Sequence, residues 1–353
     1  MSTPTSTATK PPAQPPVVKA YRDYGRPLWR RILVTREMAI VALLVAVLVV
    51  ASIQMPRFAT PLTMTNLLLD VTPILLISLT MAPIMITGDI DLSVGSMVGL
   101  SSVVVGLLTH SGWSIPSAAV VAIVVGAVGG VVNGLLVTRF GLPALAVTIG
   151  TLALYRGLAI GLLGTTAITG FPRYWTQLAK SKIGDTGVPS VMILFAVLMA
   201  IFVVILHFTS FGRGVYAIGL SKDAAAFSGI HVARTRVILF VLSGAMSALA
   251  GVFYTLRFTS SRGDNATGLE LAVIAAVVLG GVSVFGGRGA LHGVVAGVLL
   301  IGALSNALRL AGVTSDVINI ITGVLLVGSV IAGSLLQWIQ SRRVRPATTA
   351  ASA

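Results

Sequence analysis

Long apolar segments, separated by short polar stretches, occupy most of the chain from residue 38 onward. Most are 17 to 24 residues long, and an α-helix needs about 20 residues to cross a hydrocarbon core about 30 Å thick. Helix is also the open-ended backbone that satisfies its own hydrogen bonds in lipid. The pattern predicts an all-α, polytopic membrane bundle of about ten helices, at residues 38–55, 67–87, 94–110, 115–138, 143–164, 188–208, 237–256, 269–285, 290–308 and 317–337.

The composition agrees with this pattern and excludes an ordinary water-soluble enzyme. Of 353 residues, 56% are hydrophobic and 10% are charged, whereas soluble domains carry about 25% charged residues. The chain has no cysteine, which excludes disulfides, thiolate metal sites and cysteine nucleophiles. The net charge of +14 comes from Lys and Arg scattered between apolar segments. Membrane topology explains this charge, and no nucleic-acid partner is predicted.

The distribution of cations predicts the orientation and the domain boundaries. An N-terminus in the cytoplasm places 16 of the 24 Lys and Arg residues inside, 7 outside and one within a span, and cytoplasmic loops carry such an excess. We therefore expect both termini inside. The predicted units are a disordered, basic tail at 1–36, a transmembrane domain at 37–338 and a cytoplasmic tail at 339–353.

Two carboxylates interrupt the apolar run between residues 67 and 108. Asp89 and Asp91 lie there with Ser93, between Gly88 and Gly95. Carboxylates within a membrane usually face a cavity or a partner, so a re-entrant break lining a pathway is one interpretation. The other is a cytoplasmic turn in which Asp91 or Ser93 caps the next helix. We expect replacement of either aspartate by leucine to impair transport more than membrane insertion.

Other features inside the apolar segments indicate helix packing, and some of them could also line a polar pathway. Glycines recur at four-residue spacing, a pattern that lets helices approach closely. Polar residues also lie within or at the edges of the segments. They could line a polar pathway, although hydrogen bonding between helices is the more common role. These residues are Asn133, Arg156, Glu270 and Asn306, and the glycine rows are 95/99, 126/130/134, 157/161 and 293/297.

A short helix is predicted inside the long cytoplasmic loop at 211–236. Ser221 can cap it, Asp223 complements the helix dipole in its first turn, and Gly229 can end it. A helix of two turns is marginal alone and needs a surface to pack on. A docking element for a cytosolic partner and a loop resting on its own bundle both fit the segment, which comprises Ser221, Lys222, Asp223, Ala224, Ala225, Ala226, Phe227, Ser228 and Gly229.

Missing motifs narrow the function further. No G-x-x-x-x-G-K-[ST] phosphate loop occurs, so any ATP that drives the protein is bound by another chain. The four histidines lack metal-ligand spacing, and no cofactor, metal or catalytic residue is predicted. An intramembrane aspartyl protease is disfavoured because Ile86 replaces the first glycine of the Gly-x-Gly-Asp motif and no Tyr-Asp pair exists.

Taken together, the motifs resemble the permeases of the ribose, xylose, arabinose and rhamnose group of bacterial ABC importers. The resemblance runs from about residue 35 to residue 336. The segments that carry it are G-D-I-D-L-S-V-G at 88–95, G-L-P at 141–143, T-I-G-T at 148–151, Y-R-G at 155–157, F-G-R at 211–213, Y-A-I-G at 216–219 and S-G-I at 228–230.

This resemblance implies a multi-pass protein of the bacterial inner membrane with several partners. They are a second, identical or different permease subunit, a cytosolic ATPase and a periplasmic sugar-binding protein. The helix at 221–229 would be the coupling helix to the ATPase, and the fold would be related to that of the vitamin B12-class importers. The transported molecule would be a pentose or deoxyhexose-like sugar. The alternatives are a branched-chain amino acid ABC permease and an ion-driven secondary sugar transporter.

The orientation can be tested with single cysteines, because the native chain has none. An impermeant maleimide added to intact cells is expected to label Lys180→Cys, which we place outside, and to leave Lys222→Cys unlabelled. Labelling of the cysteine at 222 without labelling of the one at 180 would show that the actual orientation is the reverse of the predicted one.

Overall fold

The computed structural model describes residues 36–343, and the predicted tails up to residue 35 and from residue 344 lie outside the described residues. The described residues form thirteen helices and two short strands. In chain order these are α1 (Arg36–Gln54), α2 (Pro61–Ile86), α3 (Val94–His110), α4 (Ile115–Thr138), α5 (Ala144–Leu163), β1 (Ile168–Thr169), α6 (Arg173–Lys180), α7 (Val191–Val203), α8 (Ser210–Leu220), α9 (Lys222–Phe227), α10 (Val232–Phe258), β2 (Ser260–Ser261), α11 (Leu269–Leu279), α12 (Leu291–Leu310) and α13 (Ser315–Arg343).

Each of the ten predicted apolar segments contains a helix, so the protein is a polytopic helical membrane protein. Six helical stretches are long and apolar enough to cross a bilayer, at 61–86, 115–138, 144–163, 191–208, 232–258 and 291–310. The fourth of these includes a π-helical turn at Val204–Phe208, which continues α7. The apolar parts of four further helices are shorter, at 38–54, 94–110, 269–279 and 315–328.

Several predicted boundaries are wrong. The helices α2 and α10 begin at Pro61 and Val232, before the predicted residues 67 and 237, and α13 ends at Arg343, beyond residue 337. The apolar run at 269–285 is not one helix, because α11 ends at Leu279. Gly281 follows with φ +94°, and the Val282 amide donates to the Val277 carbonyl at 3.2 Å. This is the Schellman arrangement, in which a glycine adopts the left-handed conformation and ends the helix. The remaining apolar residues up to 285 therefore belong to a loop.

The core is built around α2. In its most apolar 18-residue window, 83% of the residues are buried, compared with 28% in α5 and 17% in the α7 stretch. The helices α7, α10, α11 and α12 all pack against α2. Helices such as α5 and α7 leave most of their apolar surface uncovered within this chain, as expected where lipid or another subunit covers them.

Glycine rows bring particular helices into close contact, as their spacing predicts. A Cβ on Gly130 of α4 would overlap the Phe240 carbonyl of α10, and one on Gly126 would overlap the Gly244 carbonyl. The backbones of α4 and α10 therefore touch directly. Gly157 of α5 differs, because a Cβ there would meet no other heavy atom of the described chain within 4 Å.

Several connections between helices contact one another at the two ends of the bundle, whereas residues 263–266 reach α3 and Arg156 of α5. At one end, the residues that follow α2 contact Lys222 and the loop after α11. At the other end, the Thr65 hydroxyl donates to the Gly187 carbonyl at 2.6 Å, and β1 pairs antiparallel with β2 through Ile168 and Ser261. This two-residue ladder is the exception to the all-α prediction within the described residues.

The glycine contacts generate a stability prediction. Gly130→Ala is expected to lower the free energy of unfolding by about 1 to 3 kcal/mol, because the added methyl group meets the rigid backbone of α10. The matched Gly157→Ala variant has open space and gains up to about 1 kcal/mol of helix propensity. Thermal unfolding of the purified chain, followed by circular dichroism, measures both. A Gly130→Ala protein that melts at or above the temperature of Gly157→Ala would contradict the close contact.

Candidate coupling site

A glycine-dependent turn ends α2 and creates the break. Gly88 has φ +81°, and its amide donates to the Met85 carbonyl at 2.9 Å. The next amide, of Asp89, donates to the Ile84 carbonyl at 3.2 Å. Together these bonds form a Schellman motif, which satisfies carbonyls at the end of the helix and needs a residue without a Cβ at the left-handed position. The turn places Asp89 just after the end of α2, the most buried helix.

Asp89 is buried and accepts from two cations. Its side chain is 5% exposed. Arg236, in the first two turns of α10, donates from Nε to Oδ2 at 2.6 Å and from Nη2 to Oδ1 at 2.8 Å. Lys222, the first residue of α9, lies with Nζ 3.4 Å from Oδ1. A bidentate arginine–carboxylate pair is short, directional and strong, so Asp89 fixes the position of α10 relative to α2.

Asp91 forms a second, hydroxyl-based connection to α10. Its side chain is 2% exposed. Oδ1 accepts from the Ser93 amide at 3.0 Å and hydroxyl at 2.6 Å. Oδ2 accepts from the Ser243 hydroxyl of α10 at 2.7 Å. Asn133 of α4 completes the network, because its Nδ2 donates to the Ser93 Oγ at 2.9 Å.

The buried network leaves one polar atom without a partner. Asn133 Oδ1 has no hydrogen-bond partner among the described residues. A buried unpaired oxygen costs free energy. Within the segment 88–93, Asp89, Asp91 and Ser93 are buried against α4 and α10, whereas Gly88 is exposed.

Gly95 has a different role from the polar residues of the break. It lies in the first turn of α3, and a Cβ there would overlap the Glu270 carboxylate at the start of α11. Gly95 therefore allows α3 to approach α11. It is a packing position, next to the polar network and outside it.

The predicted short helix is present as α9, with both ends capped. Ser221 Oγ accepts from the Ala224 amide at 3.2 Å, as its sequence position predicts. At the other end Gly229 has φ +82°, and the Ile230 amide donates to the Ala225 carbonyl at 3.1 Å. This is a third Schellman motif. The helix is thus defined by local sequence at both ends.

The two faces of α9 differ in exposure. Ala225 is buried against the bundle, whereas Phe227 is 93% exposed. A phenylalanine this exposed offers a large apolar side chain to any surface that packs on the helix. Asp223 and Ala224 are also exposed. The outer surface of α9 therefore presents the apolar Phe227 side chain next to polar residues. This surface lies beside the contact between Lys222 and Asp89.

A glycine-rich loop that contains Gly287 and Gly289 packs against the ends of α2 and α8. The Gly287 amide donates to the Ile86 carbonyl at 2.8 Å, and the Tyr216 hydroxyl of α8 donates to the Gly289 carbonyl at 2.8 Å. A Cβ on Gly219 of α8 would overlap the Ile86 carbonyl. The ends of α2 and α8 and this loop thus meet at backbone contact distance.

The structure brings together two features that lie about 130 residues apart in the sequence, the break and the short helix. Asp91, Ser93 and Asn133 form one hydrogen-bonded cluster, Gly88 and Asp89 precede it in the same break, and of the predicted coupling residues Lys222 contacts Asp89. Sequence reasoning missed Arg236 and Ser243. The signal that could have found them is their spacing of seven, which places both on one face of α10. Within residues 36–343 no group of three His, Asp or Glu side chains could hold a metal ion.

Comparisons with known proteins identify the family. A family model described as the branched-chain amino acid transport system permease component matches residues 63–330. The autoinducer 2 import system permease protein LsrD of Salmonella typhi is 32% identical over 332 residues, covering 89% of this chain and 98% of that protein. The proteins of the same name from Photorhabdus laumondii and Escherichia coli O157:H7 are 33% and 34% identical, over 87% and 88% of this chain and 96% and 97% of theirs. No solved structure matches the chain.

The chain therefore belongs to this family of import permeases. It is a multi-pass protein of the inner membrane and the permease subunit of an ABC importer, a transport subunit rather than an enzyme.

The buried ion pair generates a prediction with a matched control. Asp89→Ala leaves Arg236 buried without its partner, and breaking a buried pair in this way costs about 3 to 5 kcal/mol. Asp264 forms an equally well-shaped pair with Arg262, but both side chains are more than half exposed. The Arg262 hydrogen bond holds the pKa of the Asp264 carboxyl below its usual value, so this control pair is intact at pH 7.

Thermal unfolding of the two variants at pH 7 measures the difference. We expect a clear loss of stability for Asp89→Ala and little change for Asp264→Ala, since exposed pairs contribute little. Equal melting temperatures for the two variants would show that the Asp89 pair does not hold the helices together.

Proposed function

We propose that this chain and a second permease subunit, identical or different, form the translocation pathway of an ABC importer for a monosaccharide-type sugar. A separate cytosolic ATPase docks on α9, and a periplasmic binding protein delivers the sugar. The chain itself catalyses no bond chemistry. The observation that carries the proposal is the exposed Phe227 on a capped helix whose first residue, Lys222, is paired with buried Asp89.

The contacts around Asp89 provide a route by which a movement of α9 would pass to the transmembrane helices. A displacement of α9 by the ATPase acts on Lys222, and Asp89 shares its carboxylate between Lys222 and Arg236. Arg236 lies near the start of α10, and Ser243 higher on the same helix holds Asp91. Movement of α9 would therefore reach the break after α2 and the helix α10 together, which is how the pathway would open and close.

The proposed membrane arrangement has ten spans with both termini in the cytoplasm. The cation excess supports placing α9 and the break on the cytoplasmic side, because Lys and Arg are concentrated in the connections that this arrangement puts inside. The tails predicted at 1–36 and 339–353 would also be cytoplasmic. We further propose a subunit fold related to the vitamin B12-class importers, with the lipid bilayer and the second subunit covering the apolar surfaces of α5 and α7.

The substrate proposal rests on the named relatives and on the motif resemblance. The relatives at 32 to 34% identity are named as permeases that import autoinducer 2, and the motifs resemble those of pentose and deoxyhexose permeases. The family model is described by branched-chain amino acid transport, which makes these amino acids the second candidate substrate.

A single replacement tests the coupling proposal. Phe227→Ala is expected to weaken ATPase binding by about 2 kcal/mol, the loss typical of a buried aromatic anchor, which is about 30-fold in Kd. Import in cells that depend on this permease should decrease together with ATPase binding. The measurements are co-purification of the ATPase and uptake of labelled ribose, xylose, arabinose, rhamnose, autoinducer 2 and leucine.

Two further variants complete the experiment. Phe140→Ala is the control, because Phe140 is 70% exposed and lies in the α4–α5 connection, outside α9. Ala225→Pro removes the amide that donates to the Ser221 carbonyl and should reproduce the loss seen for Phe227→Ala. Normal ATPase binding by both α9 variants would place the coupling contact elsewhere. Uptake of leucine and of none of the sugars would show that the substrate is an amino acid.

A further inference from the structure

The chain returns into the bundle between α10 and α11 without first forming a helix. Ser261 pairs with β1 at one end of the bundle, and α11 begins only at Leu269. The 11 residues of α11 cover about 16 Å, roughly half of a hydrocarbon core about 30 Å thick. Residues 262–268, which we call the re-entrant segment, therefore cover the remaining depth with irregular backbone.

Two glycines of α3 make room for this segment and for two charged side chains. A Cβ on Gly99 would overlap the Arg156 guanidinium and contact the Asn265 carbonyl. A Cβ on Gly95 would overlap the Glu270 carboxylate. Residues four apart share one face of a helix, so the segment and the first turn of α11 lie along a single face of α3.

Arg156 of α5 holds the segment through its backbone. Its Nη1 donates to the Gly263 carbonyl at 2.8 Å and to the Asn265 carbonyl at 2.7 Å. Its Nη2 donates to the Gly95 carbonyl of α3 at 3.4 Å. Charged side chains within a membrane pair with one another or with backbone carbonyls. Arg156 uses carbonyls here, so one guanidinium ties α5 and α3 to the re-entrant segment.

Glu270, in the first turn of α11, is the acidic group that interacts most strongly with Arg156. The ion pairs at contact distance among the described residues nevertheless do not include these two side chains. The Glu270 Oε2 atom is buried and has no hydrogen-bond partner within residues 36–343. A buried carboxylate oxygen without a partner is costly, so the pairing of the two charges is incomplete in this state.

The re-entrant segment is held on its α3 side and open on the other. Asp264 and Thr267 are exposed. A cavity of about 160 Å³ lies between residues 262–264 and the end of α5 at Ile160 and Gly164. Ala266 has φ +59°, a conformation that is unfavourable for a residue with a Cβ and persists only while the surroundings hold it. The segment therefore has space to move into once its contacts are released.

The two charges also lie next to the coupling site. Both side chains reach Gly95, which is two residues after Ser93. The Ser93 hydroxyl donates to Asp91 in the break. A displacement of the break would therefore shift the position at which Arg156 and Glu270 meet.

We propose that Arg156 exchanges partners during import. In the state described here it holds the Gly263 and Asn265 carbonyls and keeps the re-entrant segment on α3. In a second state it pairs with the Glu270 carboxylate, which supplies the missing partner of that group and releases the segment. Arg156 is thus a positioning residue for the backbone between α10 and α11. The proposal rests on the chain being an import permease and goes beyond the substrate and the ATPase contact proposed above.

Cysteine labelling of the purified full chain tests the exchange without an ATPase or a substrate. Ser102 of α3 is 0% exposed, and its hydroxyl accepts from the Asn265 side chain at 2.9 Å, so Ser102→Cys reports release of the segment. Ser101→Cys is the matched control, because Ser101 is equally buried and lies against Gly251 of α10. A small methanethiosulfonate reagent labels a buried cysteine at a rate set by the population of the open state.

Arg156→Gln is expected to raise the labelling rate at position 102 about tenfold, the effect of losing one hydrogen bond to a charged group. Position 101 should stay unchanged, which shows that the bundle is intact. Arg156→Lys should also raise the rate at position 102, because an ammonium group lacks the fork that holds two carbonyls. Glu270→Gln is expected to act in the opposite direction and lower the rate about tenfold, because the released state loses its ion pair.

The double variant separates partner exchange from a structural role of each residue. In the Arg156→Gln chain, Glu270→Gln should leave the rate at position 102 unchanged, since the carboxylate then has no guanidinium to bind. A Glu270→Gln chain that labels as fast as the wild type, or an equal decrease in both backgrounds, would overturn the exchange. Full import by Glu270→Gln in cells would overturn it as well.

The role of Arg156 as the holding group has its own contrary results. Labelling at position 102 that is no faster in Arg156→Gln and Arg156→Lys than in the wild type would show that other contacts hold the segment. Equal acceleration at positions 101 and 102 in both variants would show that Arg156 supports the whole bundle. Uptake of leucine in place of a sugar, or an ATPase contact outside α9, would change the proposed function and leave these labelling results as they are.

Discussion

The interaction on which the rest of the structure depends is the buried ion group at Asp89. A carboxylate that is 5% exposed is stable only when cations and hydrogen bonds replace the water it has lost. Arg236 supplies a bidentate pair from α10, and Lys222 supplies a second cation from α9. Since Asp89 closely follows α2, the most buried helix, this single carboxylate joins the core, the short helix α9 and α10.

Backbone contact makes this arrangement rigid. Gly88 turns the chain at the end of α2, Gly287 and Gly219 bring a loop and α8 against the Ile86 carbonyl, and Gly130 lets α4 touch α10. Close backbone approach of this kind gains dispersion energy that lipid cannot supply. The polar side chains of the break, Asp89, Asp91 and Ser93, are buried in this packing, so protein groups supply their hydrogen bonds.

The helix α2 joins two ion pairs that lie far apart in the bundle. Asp70, its tenth residue, pairs with Arg257 of α10, and Asp89, which follows its last turn, pairs with Arg236 of the same helix. The helical residues from Asp70 to Ile86 span about 24 Å. Charged contacts therefore link α2 to α10 at two widely separated positions.

The sequence by itself determined where the ten apolar segments form helices, because hydropathy and length decide what crosses a bilayer. It also determined the caps of α9, because Ser221 and Gly229 act on neighbouring amides and carbonyls. The helices α6 and α8, which lie in the connections, were not predicted. The sequence also singled out Asp89 and Asp91 as costly in an apolar run. The end of α11 at Leu279 escaped the hydropathy pattern, since apolar residues continue beyond the glycines that turn the chain. Only the tertiary structure decided which groups compensate the carboxylates. Arg236 and Ser243 lie about 150 residues from their aspartates, and pairing at that separation depends on how helices pack, which no local pattern encodes.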